Sequence, residues 1–148
     1  YSEIFCLIDK DNKIKDGNPD HDRNAKEYQD LKKRYHLKKF MSPDGNECLV
    51  CMVESYPSTE VFFLFYFGYS GAFYTNQGLK DILNKKFGYI TQQKYFIKHS
   101  LHDLLINSGG SLDIAISASK KSLSENDDDN IHRTYTEIGL LVNHLLNR

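Results

Sequence analysis

Two aspartates separated by one residue, Asp9 and Asp11, directly follow the short apolar run Ile4–Ile8. A run this rich in β-branched and aromatic residues predicts a strand that is covered on both faces in an α/β sheet. In a parallel sheet, residues that follow a strand lie at the carboxyl edge, where ligands of open α/β folds bind. Carboxylates placed there suit a hard cation such as Mg²⁺, which prefers oxygen ligands. Aspartate also begins ordinary turns and helix caps, so the spacing alone leaves that simpler role open.

A group of basic side chains surrounds the end of the first predicted helix. Cations favour a helix C-terminus, so a solvated helix end is one explanation of the group. A surface that follows nucleic-acid phosphates is the other explanation. The group consists of Lys32, Lys33, Arg34, Lys38 and Lys39.

Two further groups carry weaker signals. His99 and His102 are three residues apart on a predicted helix and would share a face, as a metal-binding pair needs, but no third ligand accompanies them. The acidic run Asp127–Asp129 lacks the spacing of a calcium loop, which favours a solvated linker.

The elements that must position Asp9 and Asp11 are a strand, a helix and a second strand. After a polar loop over residues 12–24, with Asp22 or Asn24 as the cap, a helix is predicted from about Ala25 to His36. The run Glu47–Val53 predicts a second buried strand. This order is the βαβ arrangement of a parallel sheet.

The second half of the chain predicts mostly helices. Ser58 or Thr59 caps an apolar stretch that ends at Phe67, for which a helix buried nearly all round fits, with a strand as the rival. The sequence therefore predicts an α/β fold in one domain over residues 1–148, with a parallel-sheet core and a mostly helical C-terminal half. The other predicted helices are Gln77–Lys86, Gln93–Ile106, Leu112–Ser124 and Thr136–Leu146.

Composition excludes several classes of protein. Lys plus Arg number 19 and Asp plus Glu number 20, a net charge of -1, so any phosphate-binding surface must be local. The longest apolar run, Val61–Phe67, is far shorter than the ~20 residues that a membrane span needs. The three cysteines are an odd number and lie in apolar runs, so they do not form the pattern of a disulfide-stabilised protein, and this favours a reducing compartment. Walker, G-x-G-x-x-G and G-x-S-x-G motifs are lacking.

Three blocks of the sequence resemble the RloB-like family, which includes abortive-infection proteins of the AbiL kind and is regarded as a variant of the Toprim fold. The run Phe5–Asp11 looks like the family's strand that ends in D-x-D. The run Ser55–Glu60, followed by Val61–Leu64, is similar to the family's S-N-P-x-F-E before an apolar helix, with Tyr and Thr in place of Asn and Phe. The run Arg133–Val142 resembles its closing motif, in which a Thr caps a helix.

The resemblance implies a Mg²⁺-dependent nuclease that hydrolyses RNA or DNA in bacterial phage defence, is cytoplasmic and is compatible with an ATPase partner. It implies a metal site at Asp9 and Asp11, with Glu60 as a further catalytic candidate, although a carboxylate is also favoured in the first turn of any helix. The family's glutamate on an earlier strand would precede Tyr1, so we expect this chain to lack that strand.

A different class of function stays open at this point. The chain would then be a non-catalytic sensor or partner-binding subunit of a defence complex, with Val61–Phe67 and the loop at Phe73 and Tyr74 as its interface. Mg²⁺ binding separates the two hypotheses. A chain that folds but is inert without the upstream glutamate is a third.

Overall fold

The computed structural model describes residues 2–10, 21–125 and 134–148. These residues form a mixed α/β fold in which a small sheet is followed by a mostly helical half. The strands are β1 (Ser2–Asp9), β2 (Lys38–Met41), β3 (Glu47–Tyr56) and β4 (Tyr135–Thr136). The helices are α1 (His21–Tyr35), α2 (Glu60–Phe65), α3 (Asn76–Phe87), α4 (Gln93–Lys98), α5 (Leu101–Asn107), α6 (Leu112–Ser124) and α7 (Ile138–Leu146).

Strand β3 lies in the middle of the sheet. It pairs with β1 in parallel, in a register that runs from Ser2 opposite Cys48 to Asp9 opposite Ser55. The predicted strand–helix–strand unit is therefore confirmed, and the carboxyl ends of β1 and β3 meet at one edge. The parallel core is this one pair of strands, and the sheet as a whole is mixed, because the short strands β2 and β4 both pair antiparallel with β3.

Strand β1 is not covered on both faces, so that prediction is also wrong. Ile4 is 46% exposed and Leu7 is 53% exposed. Within the described residues β1 pairs with β3 alone, and it therefore lies at the rim of the sheet, where fewer side chains cover it.

Helix α2 is the centre of the hydrophobic core. Val61 is fully buried and Phe62, Leu64 and Phe65 are nearly so, against Leu79 of α3 and other core residues. Each such side chain contributes roughly 1.5–3 kcal/mol when it leaves water. The prediction of a helix here is confirmed. The prediction that Val61–Phe67 forms a partner interface is wrong, because the core already covers this segment. In the loop predicted to belong to the same interface, Phe73 is 56% exposed.

Several helix boundaries differ from the predictions. Helix α1 begins at His21, so Asp22 and Asn24 lie inside it. The helix predicted from Gln93 to Ile106 is broken, because the Ser100 side chain accepts a hydrogen bond from the Asp103 N–H and begins a new helix there. The break leaves His99 just after the end of α4 and His102 inside α5, so they share no helix face.

The predicted Leu112–Ser124 helix matches α6, whereas α7 begins two residues later than predicted. Its start is delayed because Thr136 belongs to β4, and the Thr136 Oγ1 atom accepts the Ile138 N–H at 3.2 Å. All three cysteines are free thiols.

The part of the chain described by the structure contains no helix with both the length and the apolar character of a membrane span. Three sequence-based predictions lie outside the described residues. They concern Asp11, the loop over residues 12–20 and the run Asp127–Asp129.

Candidate functional site

The carboxylate of Asp9, at the end of β1, is held by the residue that begins α2. Asp9 Oδ1 accepts hydrogen bonds from both the backbone N–H and the side-chain hydroxyl of Thr59, each at 2.7 Å. Thr59, one of the two residues predicted as the cap, is the N-cap, but its hydroxyl does not cap the helix because it is used to bind Asp9. The edge of the sheet and the first turn of α2 are thereby fixed to each other.

Glu60 lies beside this contact, in the first turn of α2. Its Oε1 atom accepts a hydrogen bond of 3.2 Å from the hydroxyl of Tyr89, in the segment between α3 and α4. Burial raises the pKa of Tyr89, and the charge and hydrogen bond of Glu60 and the charge of Asp9 raise it further. The charges of Asp9 and Glu60 both raise the pKa of the Tyr89 hydroxyl, so the two predicted carboxylates lie near the same group.

The second oxygen of each carboxylate, Asp9 Oδ2 and Glu60 Oε2, accepts no hydrogen bond from the residues that the structure describes. The same residues contain no group of three or more His, Cys, Asp or Glu side chains arranged to hold a metal ion. The described part of the site thus supplies two carboxylates, and Asp11 lies outside it.

A second carboxylate centre, on Glu54, lies at the same edge of the sheet. Glu54 is 4% exposed and accepts hydrogen bonds from Lys32 Nζ at 2.6 Å, from Tyr135 at 3.2 Å and from the hydroxyl of Tyr28. Lys10 Nζ, from the residue after Asp9, lies 3.4 Å from Glu54 Oε2. Glu54 therefore connects α1, the end of β1, β3 and β4.

The pKa values of Glu54 and Glu137 are shifted in opposite directions. Burial alone would raise the pKa of Glu54, but hydrogen bonds from Lys32 and Tyr28 and the charge of Lys10 outweigh it and lower that pKa. Burial raises the pKa of Glu137, and the charge of Glu54 adds to this, against the hydrogen bond of 2.8 Å that Glu137 accepts from the Glu54 N–H. Glu54 is therefore held as the carboxylate, whereas Glu137 is more readily protonated.

The three sequence blocks meet at this edge. The Lys10 N–H donates to the Ser55 carbonyl at 2.9 Å, which joins the first block to the second. The hydroxyls of Ser55 and Thr136, both buried, share a hydrogen bond of 2.7 Å that joins the second block to the third. The separated blocks thus build one continuous region around the ends of β1 and β3.

Two of the five side chains in the basic group predicted as a nucleic-acid surface form ion pairs with glutamates. Lys32 is bound to Glu54, and Lys39 forms an ion pair of 2.9 Å with Glu47 across β2 and β3. The other three side chains are exposed around the end of α1 and on β2. They are Lys33, Arg34 and Lys38.

Sequence reasoning missed Glu54, Tyr28, which donates to Glu54, and Tyr89, which donates to Glu60. Glu54 directly follows an apolar run, as Asp9 does, and that placement is a usable signal. The tyrosines carry no such signal, because they come from α1 and from the segment after α3.

The RloB-like protein family matches residues 1–145 of the chain. The match covers all three sequence blocks and the carboxyl edge at which they meet, and the chain belongs to this family. Searches of curated proteins and of solved structures give no significant match.

Proposed function

We propose that the chain is a Mg²⁺-dependent nuclease that hydrolyses phosphodiester bonds of RNA or DNA in bacterial phage defence, with a Toprim-like arrangement of its acidic residues. The observation that carries the proposal is the pair Asp9 and Glu60, held at one sheet edge by Thr59 and Tyr89. The nuclease class, the Toprim-like arrangement and the defence role come from the expectation that the family resemblance raised.

The donor chemistry fits a hard cation. Asp9 and Glu60 offer carboxylate oxygens, and Asp11 adds a third carboxylate in the sequence. In the same turn, the Ser58 hydroxyl is buried and has no hydrogen-bond partner among the described residues. When bound, Mg²⁺ would neutralise charge on the scissile phosphate and lower the pKa of an attacking water.

The chain's own residues fix the geometry of this site. Thr59 holds one oxygen of Asp9 and so limits the rotation of its carboxylate. Tyr89 does the same for Glu60 through a single hydrogen bond. Lys10 is only 14% exposed and is drawn toward Glu54, which orients the chain immediately after Asp9. A site held in this way loses little free energy to reorganisation when substrate binds.

The test is cleavage of end-labelled RNA and DNA by the full-length protein, with Mg²⁺ and with EDTA. We expect Mg²⁺-dependent cleavage that falls roughly a hundredfold or more in Asp9→Asn, Asp11→Asn and Glu60→Gln. Asp103→Asn is the matched control, because Asp103 is an exposed acid in the first turn of the similarly short helix α5. Cleavage that survives in folded Asp9→Asn protein would overturn the proposal.

A further inference from the structure

The segment between Asp81 and Asp103 carries charge of one sign only. It contains four lysines and no Asp or Glu, in a chain whose net charge is -1. It covers the end of α3, all of α4 and the start of α5. We call these lysines and the aromatic residues between them, Phe87, Tyr89, Tyr95 and Phe96, the α3–α4 surface. The lysines are Lys85, Lys86, Lys94 and Lys98.

Aromatic and basic side chains line a groove on this surface. The groove has a volume of about 410 Å³, and Lys94, Tyr95, Lys98 and His99 are among its lining residues. The Tyr95 and His99 rings are stacked, with their centres 4.4 Å apart and their planes inclined by 30°. The groove therefore combines a flat aromatic surface with two ammonium groups.

The lysines of the groove are not neutralised within the described residues. No carboxylate there lies within ion-pair distance of Lys94 or Lys98. In the group at the end of α1, by contrast, Lys32 and Lys39 are paired with glutamates. An anion would therefore meet more uncompensated charge on α4 than at those two positions.

The α3–α4 surface is in direct contact with the candidate active site. The Tyr89 ring packs against Phe96 of α4, with the ring centres 5.9 Å apart. The hydroxyl of the same tyrosine donates to Glu60. Tyr89 thus links α4 directly to the carboxylate of Glu60.

From these observations we propose that the α3–α4 surface binds a single-stranded polynucleotide. Lys94 and Lys98 would contact phosphates while a base stacks on the Tyr95 and His99 rings. Stacking requires an exposed base face, which a duplex keeps inside its helix, so the groove favours single strands. The proposal rests on the proposed function, because it names the form of nucleic acid that this site would take.

The experiment measures binding without cleavage. The full-length protein is titrated in EDTA into fluorescent oligo(dT), oligo(U) and a DNA duplex, each of about 20 units, and anisotropy is recorded over a range of salt concentrations. Each lysine contact to a single strand is worth about fivefold in affinity near 0.1 M salt, so we expect Lys94→Gln/Lys98→Gln to bind about 25-fold more weakly. The slope of log affinity against log salt should fall by about 1.4.

Two sets of variants make the result specific to this surface. Lys33→Gln/Arg34→Gln removes two exposed cations from α1 and should leave affinity within about twofold. Tyr95→Ala should weaken binding by about fivefold or more, because stacking is worth about 1 kcal/mol or more per base, whereas Tyr95→Phe retains the ring.

Binding of single strands and cleavage of them are measured separately, so either can be lost without the other. Asp9→Asn should bind single strands as the unsubstituted protein does, so binding without any cleavage would refute the nuclease and leave the surface in place. The assignment of the α3–α4 surface as a single-strand binding site is overturned if no probe binds, or if the duplex binds more tightly than both single strands. It is also overturned if Lys94→Gln/Lys98→Gln binds normally. An equal loss in Lys33→Gln/Arg34→Gln would overturn it as well. The oligo(dT) and oligo(U) arms tell DNA from RNA.

Discussion

The carboxylate of Asp9 accepts both the N–H and the O–H of Thr59, which lies 50 positions later in the chain. This pair of hydrogen bonds joins the end of an edge strand to the start of the central core helix. The position of the carboxylate therefore depends on the packing of α2 as well as on β1.

Removing the Thr59 hydroxyl tests this connection. Thr59→Val retains the shape of the side chain and the backbone donor but loses one hydrogen bond to a charged group. We expect the free energy of unfolding to fall by about 1–2 kcal/mol. Urea denaturation followed by circular dichroism measures the change. Thr59→Ser restores the hydroxyl and should be close to the unsubstituted protein; equal losses in both variants would refute the role of the hydroxyl.

The Glu54 centre is expected to be more important to stability than an exposed ion pair on the same strand. Glu54→Gln removes the charge that compensates Lys10 and Lys32, and because Lys32 is partly exposed we expect a loss of about 2–3 kcal/mol. Glu47→Gln is the control, since its ion pair with Lys39 is exposed and should be worth about 1 kcal/mol or less. The same urea measurement compares them, and similar losses would contradict a special role for Glu54.

The opposite pKa shifts of Glu54 and Glu137 predict the dependence of stability on pH. The pKa of Glu54 lies below its ordinary value of 4.5, so its contribution is present above that value and is lost as pH falls through the folded-state pKa. The pKa of Glu137 lies above 4.5, so its contribution is present below that value and is lost as pH rises through the folded-state pKa.

Urea midpoints measured from about pH 3 to about pH 7 separate the two effects. Glu54→Gln should reduce the loss of stability on the acid side. Glu137→Gln should reduce the decline above 4.5, the ordinary value for this carboxyl group. Unchanged pH profiles in both variants would show that these groups do not control the dependence.

Close packing of α6 and α7 gives a prediction that does not involve charge. A Cβ atom added at Gly139 would lie 2.5 Å from Ser119 Cβ and 3.2 Å from Ile116 Cα. We expect Gly139→Ala to lower the free energy of unfolding by about 2–3 kcal/mol, because the two helices must separate. Adding Ser119→Gly removes the nearer contact and should recover part of the loss. A stable Gly139→Ala protein in thermal denaturation would contradict this packing.

Apolar runs and strong caps predicted much of the fold. The pairing of β1 with β3, the extent of α6 and the buried helix after Thr59 all follow from such patterns. Strand β2 has only a weak sequence signal, because its four residues are exposed and no alternation of apolar and polar side chains marks it. The break before α5 did have a signal, since Ser100 and Asp103 have the spacing of a capping arrangement.

The candidate site could be predicted only in part, for a physical reason. Asp9 and Glu60 each stand at the end of a recognisable element, so position along the chain identifies them. Their partners Thr59 and Tyr89 are determined by how α2 and the segment after α3 pack against the sheet. Glu54 was predictable by its place after an apolar run, but its burial and its four partners depend on tertiary contacts between α1, β1 and β4.

Calorimetric titration of the full-length protein with Mg²⁺ is the decisive experiment for a metal site at the end of β1. We expect a binding isotherm whose affinity falls by at least about tenfold in Asp9→Asn and is unchanged in Asp103→Asn. Circular dichroism confirms that both variants are folded. Equal Mg²⁺ affinity in the two variants, or no binding by the unsubstituted protein, would contradict a metal site at the end of β1.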